Sequence, residues 1–333
     1  MLPFNASFFI DALLIFFSAL IIDIVFGEVP DKLHPTVWMG NVIAFIKPKL
    51  KSQNALIEKV NGIFLCVAVL ALFTVPIYII LQVIRQTSGF GYIIYIAVSA
   101  ILLKTTIAVS SMRYYTVPIA EALEKRDLET ARRWLPYIVR RDPSELGERH
   151  ILSAAIESIA ESTTDGITAP LLFYALLGVP GAIAFRVINT LDSMVGYKDH
   201  ENIYLGWFSA KADTLCNYFP ARLTALLMVV SAMFLGADWQ NSWRILLRDK
   251  NKTASLNAGW TLSAMAGALN AQLEKKGHYT IGDGELVSPT NIQKALRIME
   301  LTTILFGVIV VLPILALEAA IIGWMSPIMF LVM

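Results

Sequence analysis

Four stretches of apolar residues constrain the fold of this chain more than any other feature. They run over 4–26, 63–84, 92–111 and 301–324. A helix needs about 20 mainly apolar residues to span a bilayer. Hydrophobic residues make up 56% of the chain and charged residues only 16%, which is more apolar surface than a soluble fold can bury. We therefore predict an all-α polytopic membrane protein with about four full transmembrane helices.

Two shorter apolar runs, 170–185 and 221–236, contain 16 residues each. The first includes Pro180 and Gly181, which break a helix unless other parts of the protein surround the break. We predict that both runs are re-entrant or core helices. Whether they cross the bilayer stays open at this point.

The positive charges divide the chain into an inner and an outer side. Segments 27–62 and 112–300 hold 25 of the 27 Lys and Arg residues, so we place both on the cytoplasmic side. We predict an N-terminal membrane part with three transmembrane helices and one polar cytoplasmic loop (1–111), a helical catalytic region with the two short apolar helices (112–300), and a C-terminal transmembrane helix (301–333). A net charge of +1 argues against a nucleic-acid partner.

The acidic residues Glu157, Glu161 and Asp165 recur every four positions. On a continuous helix they share one face, where like charges destabilise the helix unless something compensates them. Two interpretations remain open: a plain solvated acidic face, or a site for a divalent cation such as Mg²⁺, which prefers carboxylate and phosphate oxygens.

Cationic and amide side chains cluster in the same region. Adjacent arginines before a proline turn, as in Arg140-Arg141-Asp142-Pro143, can bind phosphate or anchor the chain at the inner leaflet. Further candidates come from two later motifs: Asn189, Asp192, Lys198, Asp213, Asn217 and Arg222.

Together these motifs resemble the adenosylcobinamide-phosphate synthase family, the CbiB/CobD-type membrane proteins of cobalamin biosynthesis. The resemblance runs from residue 23 to 260. It rests on these segments: Asp23…Gly27-Glu28…His34-Pro35…Met39-Gly40, Arg140-Arg141-Asp142, Glu157…Glu161…Asp165-Gly166, Asn189-Thr-Leu-Asp-Ser-Met-Val-Gly-Tyr-Lys198, Asp213…Asn217-Tyr-Phe-Pro-Ala-Arg222 and Asn257-Ala-Gly-Trp260. Thr214 departs from the pattern, because the family commonly has a second aspartate there.

The resemblance implies an ATP-dependent amide ligase. Such an enzyme joins a carboxylate of the corrinoid adenosylcobyric acid to aminopropanol or its phosphate, through an acyl phosphate. Under this hypothesis Mg²⁺ and ATP are bound by Glu157, Glu161 and Asp165, and Glu157, Glu161, Asp192 and Asp213 are the catalytic candidates. The phosphates and substrates are bound by Arg140, Arg141, Lys198, Arg222, Asn189 and Asn217.

ATP is cytoplasmic, so the hypothesis requires 140–165, 189–198 and 213–222 on the cytoplasmic face of the cell membrane. Expected partners are the corrinoid, the amine and the lipid bilayer; other membrane enzymes of the cobalamin pathway and self-association stay open. The alternatives are an ion- or proton-coupled transporter that uses the acidic helix face, and a membrane alcohol-phosphate transferase.

Overall fold

The fold is almost entirely helical. The computed structural model describes residues 5–87, 89–197 and 199–332, with the backbone alone at 31, 286 and 324–332. The chain is 77% helical, which confirms the predicted fold class. The α-helices are α1 (Ala6–Phe26), α2 (Pro35–Ile46), α3 (Ala55–Arg85), α4 (Phe90–Lys104), α5 (Val109–Glu124), α6 (Leu128–Trp134), α7 (Glu148–Ser162), α8 (Ala169–Val195), α9 (Trp207–Cys216), α10 (Tyr218–Phe234), α11 (Trp239–Asp249), α12 (Ala258–Ala268), α13 (Pro289–Phe306) and α14 (Leu312–Val332).

Five helical stretches among the described residues are long and apolar enough to cross a membrane. They are Ala6–Phe26, Ala55–Arg85, Phe90–Glu124, Glu148–Val195 and Pro289–Gly323. The fourth contains the run 170–185, which has the length of a span once its helical flanks are included. Most of the run 221–236 lies in α10. Helices α9 and α10 form a pair with a bend of 43°.

The chain divides into two compact units. Unit 1 comprises Met1–Ile107, Pro170–Cys216 and Gly307–Met333, and unit 2 comprises Ala108–Ala169 and Asn217–Phe306. The unit boundaries after 107 and 306 lie close to the predicted ones after 111 and 300. Residues 170–216, however, belong to the same unit as the N-terminal helices, and the functional division stays a prediction.

In unit 1, α1 and α4 lie side by side and run in the same direction. The Tyr92 hydroxyl donates to Asp11 Oδ1 at 2.7 Å, and Lys104 Nζ lies 3.6 Å from Asp23 Oδ1. Twelve residues separate the two contacts on each helix, which is about 18 Å at 1.5 Å per residue. Unit 1 therefore has two separate polar sites, one at each end of this helix pair.

Helix α8 breaks where its sequence predicts a break. Gly178 has φ +67° inside the helix, two residues before Pro180. Because an L side chain is strained at this φ, glycine suits the position. The Tyr174 hydroxyl, one turn earlier, donates to the Ala12 carbonyl at 2.7 Å and ties α8 to α1.

Unit 2 is built around α7, whose residues 151–160 are all buried. The helices α5, α12 and α13 pack against it. After α7 the helix widens into a π turn over Thr163–Thr168 before α8 begins. π turns inside α-helices are often found at functional sites.

A small sheet, which the sequence analysis did not predict, also packs on α7. It contains β1 (Ala271–Lys275), β2 (Tyr279–Ile281) and β3 (Glu285–Leu286), in the order β2-β1-β3. β1 and β2 form an antiparallel hairpin whose turn includes Gly277 at φ +76°. The Glu274 amide donates to Ser153 Oγ at 2.7 Å, which fixes β1 on the helix.

Candidate functional site

Glu157 is a predicted site residue of unit 2 whose carboxylate has three side-chain partners. Its side chain is only 3% exposed. Arg141 Nη2 lies 2.5 Å from Glu157 Oε2, the Tyr279 hydroxyl donates to the same oxygen at 3.1 Å, and Ser153 Oγ donates to Oε1 at 2.9 Å. A buried carboxylate needs such partners because burial without them is costly. Two other segments, the Arg141 loop and β2, therefore converge on this one side chain of α7.

The loop that carries Arg140 and Arg141 is fixed beside α7. Ser158 Oγ donates to the Ile138 carbonyl at 2.9 Å, two residues before Arg140. Arg141 is part-buried in its pair with Glu157, whereas Arg140 is exposed. The loop thus holds Arg141 in its ion pair with Glu157 and leaves the Arg140 residue exposed.

Glu161 lies one turn after Glu157 on α7, and its side chain is exposed. It is within electrostatic reach of Glu157, Lys275 and Arg141. Of the two acidic residues Glu157 and Glu161, Glu161 is the one that a solvent-borne ligand can reach directly.

Asp165 follows Glu161 by four residues but lies beyond the end of α7. It lies inside the π turn, where each turn holds more residues than in an α-helix. That Glu157, Glu161 and Asp165 share one face therefore stays a prediction. Among the described residues, no three His, Cys, Asp or Glu side chains are placed to hold a metal ion by themselves.

The Tyr279 phenol lies beside the acidic residues of α7. It lies on β2, and its hydroxyl faces Glu157. Burial, together with the negative charges of Glu157 and Glu161, raises the pKa of the Tyr279 phenol well above its usual range. Tyr279 therefore stays a hydrogen-bond donor throughout the physiological pH range. The sequence does not point to Tyr279, because an isolated tyrosine in a short strand carries no recognisable motif.

Arg222 forms a second cationic site in unit 2. Its guanidinium stacks 3.4 Å from the centroid of the Tyr218 ring and 4.8 Å from that of Trp260. Nη1 also donates to Asn257 Oδ1 at 3.1 Å. A second cation, Lys250, contacts the same Trp260 ring, with Nζ 4.6 Å from the ring centroid. Two motifs that are 35 residues apart thus meet around one planar cation, an arrangement suited to binding phosphate or carboxylate.

Asn217, predicted as a ligand-orienting residue, lies between α9 and α10 and is buried. Its backbone carbonyl accepts from the Ala221 amide at 3.0 Å, which begins the helical hydrogen bonding of α10. Asp213 belongs to unit 1 and Asn217 to unit 2.

In unit 1, the predicted residues Asn189 and Asp213 do meet. Asn189 Nδ2 donates to Asp213 Oδ1 at 3.2 Å. Arg186 completes the group: its Nη1 lies 3.4 Å from Asn189 Oδ1 and its Nη2 donates to the Thr106 carbonyl at 2.7 Å. Arg186, which directly follows the apolar run 170–185, was not among the predicted site residues.

Asp192 is positioned by the absence of a side chain at Gly196. The Gly196 amide donates to the Asp192 carbonyl at 2.8 Å. A Cβ at Gly196 would lie 2.0 Å from Asp192 Oδ1 and 2.7 Å from its carbonyl oxygen, closer than any real contact. This glycine therefore lets the Asp192 carboxylate lie over the end of α8. Lys198, predicted to bind phosphate, lies outside the described residues.

A buried ionic network lies at the same end of unit 1. Lys104 is fully buried, and its Nζ lies 3.6 Å from Asp23 Oδ1 and 3.1 Å from Glu28 Oε1. His34 Nε2 lies 3.1 Å from the same Glu28 oxygen, while His34 Nδ1 accepts the Thr36 amide at 3.2 Å. This pattern puts the imidazole proton on Nε2.

Ionisable groups at membrane depth are expensive and commonly functional. The network unites the N-terminal motif Asp23…Glu28…His34 with Lys104, which the sequence shows only as a lone cation inside an apolar run. Thr106, whose carbonyl binds Arg186, follows two residues later. The network and the Arg186–Asn189–Asp213 group therefore share the 104–106 segment.

Comparison with known proteins finds a family model and relatives that match most of this chain. The CobD/Cbib protein family model matches residues 16–305. A probable cobalamin biosynthesis protein CobD of Methanothermobacter thermautotrophicus is 41% identical over 301 residues, covering 89% of this chain and 97% of the relative.

Two further relatives show the same extent of similarity. The cobalamin biosynthesis protein CobD of Dehalococcoides mccartyi is 44% identical over 82% of this chain and 87% of its own length. A probable CobD of Thermoplasma volcanium is 39% identical over 92% of this chain and 99% of its own. No solved structure matches. The matched family and these relatives give no support to the transporter alternative. The chain belongs to the CobD/Cbib family of cobalamin biosynthesis proteins.

Proposed function

We propose that this protein is an ATP-dependent amide ligase that joins adenosylcobyric acid to aminopropanol or its phosphate. The observation that carries the proposal is the Glu157 cluster of unit 2. There a buried carboxylate holds Arg141 in place beside an exposed carboxylate, Glu161, and an exposed arginine, Arg140. Such a group of fixed charges is suited to a nucleotide's phosphates.

The chemistry explains why such charges are needed. A carboxylate does not react with an amine, because its leaving group would be oxide. In the proposed first step a carboxylate oxygen of the corrinoid attacks the γ-phosphorus of ATP, and ADP leaves. In the second step the amine nitrogen attacks the acyl carbon, inorganic phosphate leaves, and the nitrogen gives up a proton. Each bond formed is matched by a bond broken, and ATP is the only co-reactant.

In this proposal the arginines of unit 2 bind phosphate. Arg141 has its position set by Glu157, and Arg222 by Asn257, Tyr218 and Trp260. Prepositioned cations stabilise the charge that moves onto the transferred phosphoryl group without having to reorganise during the reaction. Asp192 and Asp213 in unit 1 stay the predicted candidates for accepting the proton of the amine.

The residues fit Mg²⁺ only as part of a Mg-nucleotide. Glu157 already has three partners, so Glu161 is the carboxylate that would hold the ion, with the phosphate oxygens as the other ligands. When bound, Mg²⁺ would neutralise part of the negative charge on the phosphates. This assignment narrows the predicted three-carboxylate site to one principal ligand.

The test is ADP release by the purified protein in lipid nanodiscs. We expect ADP to form only when adenosylcobyric acid and the amine are both present, and mass spectrometry to detect the amide in equal amount. Glu161→Gln should lower the rate at least about 100-fold, as expected when a group that positions the phosphates is lost. Glu148→Gln, an exposed acid in the first turn of the same helix, is the matched control and should leave the rate unchanged. Amide formation without ATP, or equal rates in the two variants, would contradict the proposal.

A further inference from the structure

Unit 1 contains a second polar site, far from the motifs of the family. A cavity of about 400 Å³ lies between α1, α3, α4, α8 and α14. It includes Asp11, the residue that lies about 18 Å from the Lys104 network along α1. The kink of α8 at Gly178 forms part of its wall. The proposed reaction uses none of these residues.

The polar lining of this cavity has both signs of charge. Arg85 Nη2 lies 3.9 Å from Asp11 Oδ2, and Tyr92 donates to the other oxygen of Asp11 at 2.7 Å. The Arg85 side chain is 43% exposed, so its guanidinium still reaches solvent. Gln82 lines the cavity beside it. Asp11 is thus satisfied by the protein, while Arg85 can accept an additional anionic group.

Glu318 carries the excess charge of the site. It lines the cavity from α14, is half-buried, and makes no hydrogen bond or ion pair with any of the described residues. A carboxylate in an apolar transmembrane helix is costly unless a partner compensates it. The group that complements Glu318 is a cation, and an ammonium with N–H donors does so best.

The rest of the lining is apolar and opens outward. Leu176, Leu177, Ile321 and Ile322 line the cavity and are all exposed, at 45%, 65%, 48% and 38%. In a helix long enough to span a bilayer, exposed side chains of this kind face acyl chains. The cavity therefore has an apolar opening, an anionic side and a cationic side.

We propose that this cavity binds a phospholipid with a primary ammonium headgroup, such as phosphatidylethanolamine. The ammonium would lie at Glu318, the phosphate at Arg85, and an acyl chain along Leu176, Leu177, Ile321 and Ile322. The charge pattern favours this lipid over an anionic one, which leaves Glu318 uncompensated. It also favours it over a choline lipid, whose trimethylated nitrogen has no proton to donate.

Native mass spectrometry of the purified protein tests this proposal. The delipidated protein is offered an equimolar mixture of dioleoyl lipids with ethanolamine, choline and glycerol headgroups. We expect the ethanolamine lipid to be retained at least about tenfold better than the choline lipid. Glu318→Gln should abolish that preference, and Arg85→Gln should weaken retention of all three lipids. Glu201→Gln, which changes an exposed acid of the same unit, is the matched control and should retain the preference.

A methylation series on the unaltered protein removes any dependence on variant folding. Retention should fall stepwise from the ethanolamine lipid through its monomethyl and dimethyl forms to choline. Equal retention across the series would overturn the proposal, as would an unchanged preference in Glu318→Gln. Displacement of the lipid by millimolar free ethanolamine would also overturn it, because the site would then bind a soluble amine.

Discussion

Arg141→Gln tests whether the Glu157 cluster is an interdependent unit. The substitution leaves the Glu157 carboxylate buried without its cation. Loss of one partner of a buried ion pair costs about 3–5 kcal/mol. Arg141 is about a quarter exposed and Glu157 keeps its hydrogen bonds from Ser153 and Tyr279. We therefore expect a value below that range, about 2–3 kcal/mol, in the free energy of local opening around α7.

Hydrogen–deuterium exchange of the protein in nanodiscs measures this local free energy directly. A loss of about 2–3 kcal/mol corresponds to about 30- to 160-fold faster exchange of the α7 amides that open with the cluster. Arg133→Gln, on the exposed surface of α6, is the matched control and should exchange like the unaltered protein. Adding Glu157→Gln to Arg141→Gln should recover most of the loss, because no charge is then left buried. If the double variant opens as readily as the single one, or if Arg141→Gln matches the control, the ion pair does not hold this site together.

Three further predictions follow from other contacts. Gly196→Ala should lower ligase activity at least about tenfold with little change in helix content by circular dichroism, because the new Cβ displaces the Asp192 carboxylate; Gly147→Ala, where a Cβ meets nothing within 4 Å, should remain active. Arg222→Lys should raise the KM for ATP, measured by ADP release, because an ammonium cannot both stack between Tyr218 and Trp260 and bind Asn257; an unchanged KM would remove Arg222 from phosphate binding. Burial acts to raise the pKa of Asp249, but hydrogen bonds from Arg248, Lys252 and the Gly282 amide outweigh it and hold that pKa well below its usual range. Asp249 therefore stabilises the fold above pH about 4 and loses this effect as the pH falls toward its folded pKa. Asp249→Asn should make the midpoint of thermal unfolding less dependent on pH in the acid range, and an unchanged dependence would show that Asp249 does not contribute.

The sequence predicts the helical membrane architecture well, since it follows from length and composition. A run of about 20 apolar residues has few alternatives to a spanning helix. The runs at 63–84 and 92–111, and residues 6–26 of the first run, lie in such helices. The break near Pro180 was likewise predictable, because proline and glycine act through local backbone geometry. The run 170–185 was harder to interpret, because its helical flanks are less apolar than the run itself.

Tertiary contacts explain what the sequence did not reveal. The π turn at Thr163–Thr168, which contains Asp165, has no recognisable residue pattern in the sequence. The short sheet that supplies Tyr279 has strands of two to five residues, too brief to show an alternating pattern. The ion pairs of Lys104 with Asp23 and Glu28 are visible only in the structure, where α1 and α4 lie side by side. Asn189 and Asp213 are both predicted site residues from separate motifs, and they meet because α8 and α9 bring them together in unit 1.

The most direct test of the ligase account follows an oxygen atom through the reaction. Adenosylcobyric acid labelled with ¹⁸O in the reacting carboxylate is incubated with ATP, the amine and the protein in nanodiscs, and the released phosphate is analysed by mass spectrometry. The account predicts ADP as the nucleotide product and one ¹⁸O atom in each inorganic phosphate, because the carboxylate oxygen leaves with the phosphoryl group. Unlabelled phosphate, or AMP and pyrophosphate in place of ADP, would contradict the acyl-phosphate mechanism.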